Sequence, residues 1–169
     1  MLTSQLKNAR MFKFLTVCFL VLSFSSFAAI DRKSFYAAMS GDDLSAITSV
    51  KKQLNAAAES SDKKALLGAL LMKESQFEKT PKLKLEKFNQ GKTALEAEIK
   101  KQSSNTEYRF LRLLIQENAP KVLKYSSNIS SDASFIVANI SKTSSTLKTT
   151  IMEYAKTSKS LQEAGYKLI

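Results

Sequence analysis

The chain is predicted to fold as an all-α protein, and three observations of its sequence support that prediction. From Asp31 onward the apolar residues recur at intervals of three and four, the period of a helix that is buried on one face. The chain has only 4 Gly and 2 Pro, whereas β-sandwiches and barrels need turn residues at frequent intervals. Its 169 residues, 44% of them hydrophobic and 24% charged, are typical of one globular domain with its own core.

The first 28 residues are predicted to be a cleaved signal peptide. Three basic residues lie in the first part of this segment, residues 14–24 are almost wholly apolar, and small residues follow at Ser26 and Ala28. This order of regions is the signature of export, and we place cleavage after Ala28. The apolar run is too short to span a bilayer, which takes about 20 residues. Met11 is an alternative start, which would leave Lys13 as the only charge before the apolar run.

Cleavage would leave residues 29–169 as a single helical domain without cysteine or transmembrane segment, located in the periplasm or outside the cell. Its formal charge would fall from +11 to +8, because the removed segment has three bases and no acid. A domain without Cys and His has no thiol nucleophile and no Ser-His pair, and it lacks the commonest metal ligands. We therefore predict that the protein is not an enzyme, and we assign no catalytic, cofactor-binding or metal-binding residue.

Two helices are predicted at the start of the domain. The first spans about Arg32–Met39 and ends at a polar turn. Within this turn, Asp42 or Asp43 is suited to cap the second helix, because aspartate accepts hydrogen bonds from free amide groups at a helix start. The apolar stripe of the second helix comprises Leu44, Ile47, Val50 and Leu54.

The third and fourth helices are predicted to be longer. The third begins near Asp62 as its cap and ends at about Phe77. One of its faces has small residues that would let a neighbouring helix approach closely, namely Ala65, Gly68 and Ala69. Thr80 and Pro81 suit the cap and the first position of the fourth helix, which extends to about Gln102. Its stripe comprises Leu85, Phe88, Lys92, Leu95 and Ile99.

Three further helices complete the prediction. The fifth spans Glu107–Asn118 and is stopped by a proline, the sixth spans Ala133–Ile140 after the polar cap segment 126–132, and the seventh spans about Ser144–Leu161. Short connections make neighbouring helices antiparallel. The six or seven short helices are therefore expected to form either an irregular antiparallel bundle or a short stack of helix pairs, and the sequence leaves both open.

The fifth helix is predicted to be central, because apolar residues cover most of its circumference. The remaining polar strip consists of Arg109, Arg112 and Gln116. Two guanidinium groups one turn apart suit a carboxylate or a phosphate, but we interpret the strip first as a solvent-exposed face. Glu117 lies inside the apolar arc, where we expect it either at a frayed helix end or paired with a cation, since an unpaired buried charge is costly.

Two segments of the chain are similar to a known family of proteins. They are Glu107–Pro120 (EYRFLRLLIQENAP) and the closing stretch Tyr154–Lys159 (YAKTSK). The chain resembles a family of small exported helical proteins from Bacteroidota, over roughly residues 62–161. That resemblance implies an α-helical fold and export, and it implies no particular chemistry, because the family has no assigned activity.

Taken together, the residues predict an exported, non-catalytic helical protein that works through an unknown protein partner or has a structural role in the cell envelope. The alternative is a binder of an anionic ligand or polymer through a basic surface. A nucleic-acid partner is not expected, because the lysines of the fourth helix scatter around its circumference and no series of stacking aromatic residues accompanies them.

Overall fold

The computed structural model describes residues 30–166. The predicted signal peptide with its cleavage site, the alternative start Met11 and the only cysteine, Cys18, lie outside this range. The described part of the chain is helical and contains no strand. No helix within it is long and apolar enough to cross a bilayer.

Eight α-helices follow one another along the described chain. They are α1 (Arg32–Ser40), α2 (Leu44–Ala56), α3 (Ser61–Glu74), α4 (Pro81–Lys101), α5 (Thr106–Asn118), α6 (Ile129–Asn139), α7 (Ser145–Ala155) and α8 (Lys159–Glu163). Three short 3-10 turns follow α3, α5 and α6 at Ser75–Phe77, Lys121–Leu123 and Ile140–Lys142. The all-α prediction is confirmed.

Several helix starts lie at the residues whose side chains suggested them. Asp43 accepts a hydrogen bond from the amide of Ser45 and so caps α2, and Thr80 accepts one from Leu83 and caps α4. Pro81 is the first residue of α4, where its missing amide hydrogen leaves no bond unmade.

The third, sixth and seventh helices differ from the prediction. The cap of α3 is Ser60, not Asp62, which lies inside the first turn. Helix α6 begins at Ile129, so that Asp132 belongs to the helix and not to its cap. The predicted seventh helix is divided into α7 and α8, because the hydroxyl of Ser158 accepts from the amide of Leu161 and starts a new helix.

The helices form a bundle in which α5 is central. Helix α5 contacts α3, α4 and α6, and its buried side chains include Tyr108, Phe110, Leu111 and Leu113. Contact between α1 and α7 brings distant parts of the chain together, which a stack of successive helix pairs does not do. Leu85 is an exception to the predicted stripe of α4, because 48% of its surface is exposed.

Helices α3 and α4 make the most extensive helix–helix contact in the fold, and two glycines permit it. A Cβ atom placed on Gly68 would lie 2.8 Å from the carbonyl oxygen of Gly91 and from the amide nitrogen of Leu95. A Cβ atom on Gly91 would meet Gly68 and the backbone of Met72. The expected close approach at Gly68 is confirmed, and its partner is the glycine of α4.

A carboxylate on α3 ties this pair of helices to α2. Lys51 Nζ lies 2.6 Å and Lys87 Nζ 3.3 Å from Glu74 Oε1, and Lys87 also pairs with Glu78. Burial raises the pKa of Glu74, but the two lysines outweigh burial and hold that pKa below its usual value. The ion pairs therefore favour the charged form of Glu74.

Candidate functional site

The polar strip of α5 faces another helix rather than solvent. Arg112 is only 6% exposed. Its Nε donates to Asp132 Oδ2 at 2.6 Å and its Nη2 donates to Asp132 Oδ1 at 2.8 Å, so that the guanidinium and the carboxylate form a bidentate pair. Asp132 is fully buried on α6. The interpretation of Arg112 as part of a solvent-exposed face is therefore wrong.

A second carboxylate completes the partners of Arg112. Its Nη1 donates to Glu96 Oε2 on α4 at 2.8 Å, and Tyr125 Oη donates to Glu96 Oε1 at 2.6 Å. Burial lowers the pKa of Arg112, but the bonds and charges of Asp132 and Glu96 outweigh burial and raise that pKa. Burial and the adjacent Glu96 raise the pKa of Tyr125. The charge of Arg112 thus joins α4, α5 and α6.

Arg109 contacts the same buried carboxylate from one turn earlier. Its Nη1 donates to Asp132 Oδ1 at 2.9 Å, and its Nε donates to the carbonyl oxygen of Ser103 at 2.7 Å. The guanidinium carbon lies 4.3 Å from the centre of the Phe135 ring. Arg109 and Arg112 do form a binding pair for a carboxylate, and that carboxylate is supplied by the protein itself.

Gln116 is the residue of the strip whose side chain has a polar atom without a hydrogen-bond partner among the described residues. It is 3% exposed, and its Nε2 makes only a long contact of 3.4 Å with Asn128 Oδ1. Its Oε1 is buried and accepts no hydrogen bond from the described residues, a state shared in that part of the chain only with Glu98 Oε2. Because Gln116 is buried, it also departs from the expected exposed face. Its buried acceptor without a donor is energetically unfavourable.

Within the described part of the chain, hydroxyl groups and not a cation hold Glu117. The hydroxyls of Tyr154, Ser158 and Ser160 donate to its carboxylate at 2.7, 2.8 and 2.6 Å, and the amide of Ser160 lies 3.3 Å away. The carboxylate therefore ties the end of α5 to the start of α8. The expectation of a frayed end is wrong, since these bonds hold the end of α5. In place of the expected cation, the donors to Glu117 among the described residues are hydroxyl groups at short distance.

A further network at the other end of α5 escaped the sequence analysis. Arg32 of α1 donates from Nε and Nη2 to Glu107 at 2.8 and 3.1 Å, and from Nη2 to Asp62 at 2.8 Å. Tyr36 donates to Glu107 at 2.8 Å and Tyr108 donates to Asp62 at 2.6 Å. Burial, together with the neighbouring carboxylates, raises the pKa of both tyrosines.

One sequence signal points to both networks. Beyond residue 28 the chain uses arginine only at positions 32, 109 and 112, although lysine is abundant. All three arginines bind carboxylates in the structure. Arginine suits such places because its planar fork makes two parallel bonds that lysine does not make. The choice of arginine within a lysine-rich chain therefore marks these two networks, whereas the pairs of Glu74 are made by lysines.

A cleft opens beside the end of α5. Its volume is about 910 Å³, and its walls come from the end of α5, the turn that follows, the start of α6 and the segment around α8. Three lysines line it, Lys121, Lys124 and Lys159, as do Gln116 and Glu117. The cleft thus brings two of the four candidate residues of α5, Gln116 of the strip and Glu117 of the apolar arc, together with lysines that were not predicted as site residues.

The turn beside the cleft has an unusual backbone. Lys124 has φ 48° and ψ 39°, the left-handed conformation that side chains other than glycine, asparagine and aspartate rarely adopt. The next residue, Tyr125, is buried, and its ring packs edge-on against Phe88 while Lys92 Nζ lies 4.9 Å from the ring centre. Val122, in the same turn, is 83% exposed.

The described residues contain no group of three or more Asp, Glu, Cys or His side chains with a metal-binding arrangement. In the comparisons with known proteins, no family model, no curated protein and no solved structure matches the chain.

Proposed function

We propose that the protein is an exported, non-catalytic domain that binds a partner protein or has a structural role in the cell envelope. One observation carries this proposal. The charged residues that looked most like a site make their hydrogen bonds to other groups of the protein. Arg109 and Arg112 bind Asp132, and Arg112 also binds Glu96. Glu117 accepts from hydroxyl groups near α8. Groups used in this way hold helices together, which is what a rigid binding domain needs.

The proposed location rests on the first 28 residues and on the resemblance to exported helical proteins. The proposed mode of action rests on the surface. Among the described residues, Leu83 and Leu85 lie near the start of α4 with 44% and 48% of their surface exposed. Exposed apolar side chains are suited to contact another protein, because covering them removes apolar surface from water.

The test is crosslinking in the native cell envelope. A photoreactive amino acid at Leu85 should give a discrete adduct with one other protein, whereas the same group at exposed Lys52 of α2 should not. Both positions are exposed, but only Leu85 is apolar. Absence of any adduct from Leu85 and from further exposed positions would contradict a protein partner, and accumulation of the chain in the cytoplasm would contradict export.

A second candidate function is the binding of an anionic ligand or polymer, and the cleft favours it. Lys121, Lys124 and Lys159 surround this cleft, and the first two make no ion pair with any described residue. We expect only weak retention on heparin that is lost at moderate salt, because most lysines elsewhere are spread over the surface and give a screened field. If the protein stayed on heparin through several hundred millimolar salt, binding of an anionic polymer would replace protein binding as the leading proposal.

A further inference from the structure

We propose that the turn at residues 120–125, with the cleft beside it, docks onto the surface of a bilayer that contains anionic phospholipids. This inference rests on the second candidate function, the binding of an anion, and it names the source of that anion. Val122 is the most exposed of the large apolar side chains in the described chain, and it lies between two exposed lysines, Lys121 and Lys124.

The combination of one exposed apolar side chain and adjacent cations suits a membrane interface. There the apolar group enters the boundary between headgroups and acyl chains, while the lysines stay at the level of the phosphates. A soluble phosphate would use the lysines and leave Val122 in water. The position of Val122 therefore favours a bilayer over a free anion.

The turn is held in place before any ligand arrives. Tyr125 donates to Glu96, packs against Phe88 and lies under the ammonium group of Lys92. Leu123 is partly buried against the core. Because the inward residues fix the backbone of the turn, little backbone entropy remains to be lost when Val122 and its lysines meet a surface.

The cleft extends the same surface with groups that suit a phosphate. Lys159 lines it, and the exposed Ser126 and Ser127 add hydroxyl groups. Its two acids are engaged by the protein, since Glu117 accepts from hydroxyls and Glu163 lies 3.6 Å from Lys159. Among the described residues of the cleft wall, three lysines against two acids give a net positive charge.

The experiment is flotation with vesicles of phosphatidylcholine alone and of phosphatidylcholine with phosphatidylglycerol, at physiological salt. Parent and variants are purified from expressing cells and checked by intact mass to have the same N-terminus. The cleft variant is Lys121→Gln/Lys124→Gln, and the control variant is Lys52→Gln/Lys148→Gln. All four lysines are exposed, and both variants lose two positive charges.

The parent should float with the anionic vesicles and not with the neutral ones. Each lysine near an anionic surface contributes roughly fivefold to partitioning, so the cleft variant should bind roughly 30-fold more weakly. The control variant should change by less than about threefold, because its charges act only through the screened field. An equal loss in both variants would overturn the proposal, since vesicles would then sense only the net charge.

Two further arms separate a bilayer from a soluble phosphate. Val122→Ser should lower partitioning by roughly fivefold, because it removes the apolar contact with the interface. Soluble glycerol phosphate should not displace the protein from vesicles at millimolar concentration. Displacement by glycerol phosphate together with an unchanged Val122→Ser would overturn the bilayer while supporting a phosphate site. None of these outcomes depends on the partner sought by crosslinking, so the two proposals fail separately.

Discussion

Replacement of Arg112 by methionine is the sharpest test of the internal ion pairs. The substitution keeps much of the side-chain volume and removes three hydrogen bonds, two to Asp132 and one to Glu96. Asp132 would remain fully buried with Arg109 as its only cationic partner among the described residues. Breaking a buried pair costs about 3–5 kcal/mol, because the surviving charge loses its compensation.

A double-mutant cycle compares the losses of stability caused by Arg112→Met, by Asp132→Leu and by both substitutions together. Asp132→Leu alone should also destabilise by about 3–5 kcal/mol, since it leaves Arg112 with only Glu96. The double variant Arg112→Met/Asp132→Leu should cost at least about 2 kcal/mol less than the sum of the two, because both buried charges are then gone. Arg109→Met is the matched control. Because Arg109 is more exposed and has one ion-pair bond, we expect a loss of about 1–2 kcal/mol.

The assay is chemical unfolding followed by circular dichroism, with thermal melts in parallel. A loss of 3–5 kcal/mol corresponds to a fall in melting temperature of roughly 10–15 °C for a domain of this size. An Arg112→Met variant that unfolds like the parent would refute the reasoning, because a solvent-exposed arginine costs less than about 1 kcal/mol. Additive single effects would likewise contradict a direct pair between Arg112 and Asp132.

Four other predictions follow from the fold. Gly91→Ala should destabilise by about 1–3 kcal/mol despite its better helix propensity, since the new Cβ would meet the backbone of α3; chemical unfolding measures this, and a stabilised variant would contradict the close helix contact. Leu111→Ala, at a fully buried position, should cost about 2–5 kcal/mol and Leu114→Ala, at a partly buried one, clearly less, and the reverse order in unfolding would count against the arrangement of α5. Because the pKa of Glu74 is lowered in the folded protein, its ion pairs stabilise the fold at pH values above the usual pKa of about 4.5, and this stabilisation is lost as the pH falls through the lowered pKa. Glu74→Gln should therefore make the melting temperature less sensitive to acid. A pH profile equal to that of the parent would show that these ion pairs contribute nothing. The intact mass of the exported protein should correspond to a chain that starts at Ala29, and a mass that includes residues 1–28 would contradict cleavage.

Much of the fold was predictable from the sequence because helix formation is largely local. Apolar spacing, the cap at Asp43 and the Thr80–Pro81 start all depend on residues within about one turn of each other, and the structure confirms them. The small residue Gly68 likewise indicated a close helix neighbour. Such features need no knowledge of where the rest of the chain lies.

The character of the candidate strip was decided by tertiary structure. A helical wheel shows that Arg109, Arg112 and Gln116 share one side, but it does not show that a buried aspartate on α6 faces that side. Asp132 looked like part of a cap because it ends the polar segment 126–132. Its ion pair was not visible in the sequence, since Arg112 lies 20 positions away. The energy of an ion pair depends on distance and burial, and both are set only when helices pack.

The cleft depends still more on the assembled fold. Its walls come from segments that are far apart in the chain, and Glu117 meets Ser158 and Ser160 across more than 40 positions. The all-α class, most of the helices and several of their caps could be predicted from the sequence, since those features follow from short-range geometry. Which charge binds which partner, and which lysines stay exposed, could not be predicted in this way, because both depend on contacts between helices that are far apart in the chain.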